Sequence, residues 1–222
     1  MESADKKIDW ISKSKGFGIL GIVAVHAVQR FGAGALTDLA IAGQYCVQLF
    51  FIISSYLAFK SLDKRGVPCD KKSFRKYFFH KLVRLAPVLY IAAFWHLIAR
   101  CLEFGGLPPV TNSIWRDGFF AVTFLNGLSY HCVNPWGNWY VGTLVIFFAL
   151  APWLKKKIDS PKKSVALFAA ATLVCCASDF ILKKLGVDTG WYFYFWLPRQ
   201  FPLLALGVVF YFFETQIGRA HV

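Results

Sequence analysis

Lys15-Gly16-Phe17-Gly18-Ile19-Leu20-Gly21-Ile22-Val23-Ala24-Val25-His26 is an apolar decade closed at each end by an ionisable side chain. At about 100° per residue, eleven steps come to about 1100°, about 20° past three turns, so in a helix Lys15 and His26 share a face. A rise of about 1.5 Å per residue separates them by about 16 Å along the axis. With Lys15 at a membrane surface, His26 is expected near the middle of a hydrocarbon core about 30 Å thick. An imidazole at that depth must face protein or water, and it marks either a functional pathway or a core histidine bonded to neighbouring carbonyls. Extended by helical spacing, the stripe reads Lys15, Gly18, Ile19, Ile22, His26 and Arg30, a polar shaft with a cation at each end. Gly16, Gly18 and Gly21 let a second helix approach closely, which is how helices pack in lipid.

The rest of the chain is of the same kind. Hydrophobic residues make up 57% of it, aromatic residues 18% and charged residues only 17%, too apolar for a single soluble core of this length. Lys and Arg number 25 against 12 Asp and Glu, a net charge of +13. These cations cluster in short segments between apolar runs, the positive-inside pattern of cytosolic loops, which excludes nucleic acid as the partner. The six cysteines, Cys46, Cys69, Cys101, Cys132, Cys175 and Cys176, show neither zinc-ligand nor disulfide-framework spacing, so no metal is expected.

The expected fold class is all-α, a polytopic transmembrane helical bundle of about six spans, with residues 1–15 as a cytosolic N-terminus and 16–216 embedded in the membrane. The spans fall at about 16–31, 39–59, 82–102, 139–154, 164–182 and 192–213. The cations from Lys60 to Arg84, and those at Lys155-Lys156-Lys157 and Lys162-Lys163, place their loops inside; Lys183 and Lys184 run against the rule. Trp115 to Leu128 is too short to cross and reads as interfacial or re-entrant. The third span contains Pro87. The sixth contains Pro198, Arg199 and Pro202, so a kinked helix with an inward-facing charge is expected there. A cleaved signal peptide ending at Ala33-Gly34-Ala35 is the competing reading of the N-terminus, but further spans follow and cleavage would discard His26.

Ile8-Asp9-Trp10-Ile11 followed by Lys15-Gly16, the apolar decade and His26 resembles the opening of the acyltransferase 3 family of membrane acyltransferases, marked by a basic residue, ten spacers and a histidine. Further stretches resemble the family in its own order: Leu49 to Ser54 with Tyr56-Leu57; Lys81, Arg84, Pro87 and Tyr90; Trp139-Tyr140; and Arg199 to Leu204 through Gly207. The similarity covers about Ile8 to Glu214. Lys15 stands where arginine is commoner and Ser55 where glycine is usual. Lysine keeps the charge and loses the bidentate fork for phosphate.

The resemblance implies transfer of an acyl group, usually acetyl, from a coenzyme A thioester to a hydroxyl of a cell-envelope glycan or lipid-linked sugar. The donor, acyl-CoA, is a co-substrate and no bound cofactor is implied. The partners are membrane lipid, the donor and the acceptor, and the implied location is the bacterial inner membrane with the N-terminus cytosolic. His26 is then the general base for the acceptor hydroxyl, with direct transfer and an acyl-histidine both open. Lys15, Lys81 and Arg84 would bind the donor's phosphates, and Arg199 is a candidate for the oxyanion because it lies within an apolar segment. The cations from Lys60 to Lys76 read as membrane anchors, and Glu103, Asp117 and His131 in the outer loop read either as solvated loop residues or as groups that handle the acceptor. The competing class is a membrane transporter or channel-like subunit in which Lys15, His26 and Arg30 line a polar pathway.

Residues 217–222, Ile-Gly-Arg-Ala-His-Val, can be written back as ATC GGA AGA GCA CAC GTC, which resembles a sequencing adapter read in frame. The tail is therefore expected to be adapter-derived and the acyltransferase domain to be incomplete.

Overall fold

The computed structural model describes residues 2–31, 38, 42–109, 113–125, 139–187 and 197–220, and within its helices some side chains, among them those of residues 2–10, 29–31 and 217–220, lie outside the description. Every regular element among the described residues is α-helical: α1 (Glu2–Phe31), α2 (Tyr45–Arg65), α3 (Lys71–Phe104), α4 (Ser113–Val122), α5 (Trp139–Lys157), α6 (Pro161–Lys184) and α7 (Leu197–Ala220). The expected all-α transmembrane bundle is present, one long helix for each expected span. Four of them are long and apolar enough to cross a membrane by length and composition: Ile11–Val28 within α1, then α2, α3 and α6. α4 has ten residues, about 15 Å of helix, half of what a crossing takes.

The helix boundaries follow from local chemistry. Asp70 caps α3 by accepting the Ser73 backbone N–H at 2.7 Å, and its carboxyl is held below its ordinary pKa by the Ser73 side chain first and the Ser73 backbone second. Gly105 ends α3 in the left-handed region at φ 68°, where a Cβ would be penalised. Ser160 caps α6, and Pro161 occupies a first-turn position that has no N–H bond to lose. α7 starts at Leu197, so Pro198 also falls in a first turn while Pro202 lies inside the helix.

The core is built by α2, α5 and α7. Phe51, Phe59, Phe147, Leu204 and Val208 are fully buried, with the Phe51 ring tilted against Tyr140 at 4.6 Å between centroids and Phe59 tilted against Tyr211 at 5.7 Å. Lipid tails are as apolar as leucine, so this cohesion comes from close packing and interhelical polar contacts. Gly207 supplies the closest approach, since a Cβ there would overlap Ser55 Oγ and the Ile52 carbonyl. Ser55, the departure from the family's glycine, is accommodated because its partner position on α7 has no side chain and its Oγ donates to the Ile52 carbonyl at 3.0 Å.

Polar ties lock one end of the trio. Lys155 Nζ lies 3.1 Å from Asp63 Oδ1, donates to the Tyr211 hydroxyl at 2.6 Å and sits 4.3 Å from the centroid of the same ring. Beside it, Tyr56 donates to Glu214, and Lys60 bonds both, at 2.8 Å to Tyr56 Oη and 3.4 Å to the carboxylate. α2 is thereby bound to α5 and α7 at the end that also carries Arg65, Lys156 and Lys157. Charge-assisted bonds of this kind are stronger where water is scarce.

Candidate functional site

α1 seats on α2 through a seam with a spacing of seven: Ile11, Gly18 and Val25 are buried, and Gly21 lies between the last two. A Cβ on Gly21 would stand 2.6 Å from Cys46 Sγ, and one on Gly18 would stand 2.9 Å from the Phe50 ring. These contacts make the helices antiparallel, and the two glycines leave room on α1 for the Phe50 and Cys46 side chains of α2.

The same register fixes the position of the histidine relative to α2. Gly21 is level with the start of α2, so Lys15 runs beside the middle of α2 and His26 lies about 7 Å beyond its first turn. Within the apolar window Ile11–Val28, His26 is near the far end and not at the centre. α1 begins at Glu2, so the helix extends well to the polar side of Gly16. His26 is exposed and Lys15 half-buried, both flanking the α2 seam. Arg30, the end of the expected shaft, has its side chain outside the described residues.

A second feature lies at the junction of α2 and α3. A cavity of about 700 Å³ is walled by Arg65, Lys76, His80 and Lys81, with the Ser61 and Ser73 side chains beside them and no carboxylate in its lining. Lys81 is half-buried, its ammonium 5.1 Å from the Phe148 centroid and 5.6 Å from that of Tyr77. Tyr77 also lines the cavity, and its buried hydroxyl has no hydrogen-bond partner among the described residues, so it is a donor in want of an acceptor.

The structure therefore joins only some of the expected site residues. Lys81 belongs to the cavity, whereas Arg84, three residues on, is exposed and does not line it. Arg199, expected to point inward, is exposed in the first turn of α7, with Nη1 4.0 Å from Cys175 Sγ on α6. No described contact links His26 to Lys15, Lys81, Arg84 or Arg199. Arg65 and Lys76, expected as membrane anchors, line the cavity, together with His80 and Tyr77, which the sequence did not single out. Lys76 and His80 are four apart and share a helix face, a legible signal, but the return of Arg65 across the turn is not. In the loop, the Asp117 side chain and His131 lie outside the described residues, and Glu103 pairs with Arg100 at 2.6 Å.

Helices of this length and apolarity mark an integral membrane protein, with a histidine eleven residues after a lysine and a cation-lined cavity at one end. The family model of an acyltransferase domain matches residues 8–220, and the chain belongs to this acyltransferase family. It is a membrane acyltransferase. Searches among curated proteins and solved structures return no match.

Proposed function

We propose that this acyltransferase moves an acyl group, usually acetyl, from coenzyme A to a hydroxyl of an envelope glycan or lipid-linked sugar, with His26 as general base. The observation that carries the reading is the spacing of Lys15 and His26 on one helical face inside the matched domain. Their axial separation is about 16 Å. The donor's arm from the diphosphate to the thioester sulfur is about 13 bonds, also about 16 Å when extended at about 1.2 Å per bond. Phosphates held at Lys15 thus bring the thioester to the level of His26.

In this reading the α2–α3 junction faces the cytosol. Arg65, Lys76, His80 and Lys81 collect the polyanionic donor by their field, and Tyr77 and the two serines offer donors to its phosphate oxygens. At the other end the acceptor hydroxyl attacks the thioester carbonyl while His26 takes its proton. The C–S bond breaks, and the thiolate leaves and is protonated. Arg84 serves as a further cation for the donor, and Arg199, a charge within an apolar segment, serves the oxyanion once its exposed side chain swings toward the acceptor.

The test is transfer of labelled acetyl from acetyl-CoA to a deacetylated envelope glycan by the purified protein in lipid nanodiscs. His26→Asn should lose about 10²- to 10⁴-fold in rate, the range for a general base. Lys81→Ala should raise the donor KM with a smaller change in kcat. An unchanged rate in the His26 variant overturns the assignment, and solute flux without an acylated product would mark a transporter.

A further inference from the structure

α3 is longer than a membrane crossing requires. Its 34 residues make about 51 Å of helix against a hydrocarbon core of about 30 Å. The surplus lies at the start, because Lys71, Lys72, Arg75, Lys76, Lys81 and Arg84 all precede the apolar stretch and no acidic residue occurs between Asp70 and Glu103.

This basic segment has two faces. At about 100° per residue, Ser73, Tyr77, His80 and Lys81 fall on the side of the cavity shared with α2. Lys71, Lys72, Arg75 and Phe79 fall within an arc of about 100° on another side, with Lys76 at the border. That second face forms a groove of about 880 Å³ lined by Lys71, Lys72, Arg75, Lys76 and Phe79. None of the four cations has an ion-pair partner among the described residues, whereas at the opposite end of α3 Arg100 is neutralised by Glu103. Phe79 stands among the cations with 64% of its surface exposed. Unpaired cations alone are ordinary on a solvated face. A large apolar ring fixed between them suits a boundary where charge lies on one side and hydrocarbon on the other.

We propose that this face binds anionic phospholipid of the adjacent leaflet, with Lys71, Lys72 and Arg75 on the headgroup phosphates and Phe79 at the acyl boundary. The site adjoins the donor cavity, with Lys76 on the border between them, and the proposal is independent of the acyl-transfer reading. Each cation near an anionic membrane surface is worth a factor of about five in binding.

The purified protein would be titrated in detergent with phosphatidylglycerol or phosphatidylcholine, and bound lipid counted by native mass spectrometry. Phosphatidylglycerol should bind in preference. Lys71→Ala/Lys72→Ala/Arg75→Ala should raise its half-saturating concentration on the order of 100-fold, and Lys71→Arg/Lys72→Arg/Arg75→Lys should leave it nearly unchanged. Phe79→Ser should weaken binding with every charge intact. If the triple variant does not fold, Lys72→Ala alone, with an expected loss of about fivefold, decides. Equal binding of the two lipids, wild-type binding by the alanine variants, or displacement by millimolar inorganic phosphate overturns the proposal. No acyl transfer is measured, so this result and that of the enzyme assay stand apart.

Discussion

α5 and α6 are neighbours in the chain, of similar length and both apolar, yet they are held in opposite ways. α5 buries ten of its 19 residues, among them Trp139, Phe147 and Phe148, and carries Lys155 into the polar tie with Asp63 and Tyr211. α6 buries only Ser164, Ala171 and Cys175 of its 24, and turns Leu173 and Phe180 outward at 70% and 62% exposure. Its buried residues are small, and of its large side chains Leu167 packs against the core while Leu173 and Phe180 point away from it. Hydrophobicity alone does not say which residues build the interior, because lipid solvates a leucine as well as a protein does. What separates the two helices is shape and polar pairing.

The heaviest blow to the inner trio should come from Gly207→Leu, which drives a side chain into Ser55 and the Ile52 carbonyl. Overpacking of this kind costs about 1–3 kcal/mol or more, read as a fall in the unfolding temperature in detergent. Lys155→Met keeps the volume and deletes the tie, and should cost about 1.5–3 kcal/mol, the range for bonds to a charged group. A loss equal to that of an exposed lysine such as Lys184 would show the tie to be ornamental.

A smaller effect is expected at the start of α3, outside the trio. The Asp70 carboxyl is depressed by its bonds with Ser73, so its stabilising effect is present above its unfolded pKa of about 3.9 and is lost as pH falls through the lower folded value. Asp70→Asn keeps an acceptor for the cap, and it should flatten the dependence of unfolding temperature on pH below about 4. An unaltered pH profile would remove Asp70 from the account. Smallest of all, Leu173→Ala on the lipid face of α6 should shift stability by no more than about 0.5 kcal/mol. A core-sized loss there would mean that α6 is packed against something other than lipid.

The helical bundle, its membrane class and its family were legible in the chain itself. Apolar runs of the right length, cations between them and a lysine and histidine eleven apart are local properties, and helix periodicity and the cost of unpaired backbone in hydrocarbon turn them into structure. The close approach of α1 was readable too, since Gly18 and Gly21 have no other evident use. Three matters belonged to the tertiary structure. The height of His26 depends on the register of α1 against α2, set by Cys46 and Phe50 from outside the motif. The cationic cavity needs Arg65 folded back onto Lys76 and Lys81. The division into an inner trio and lipid-facing helices rests on which side chains find a partner. Each is a relation between residues far apart in sequence, and within lipid no difference in hydrophobicity marks such partners in advance.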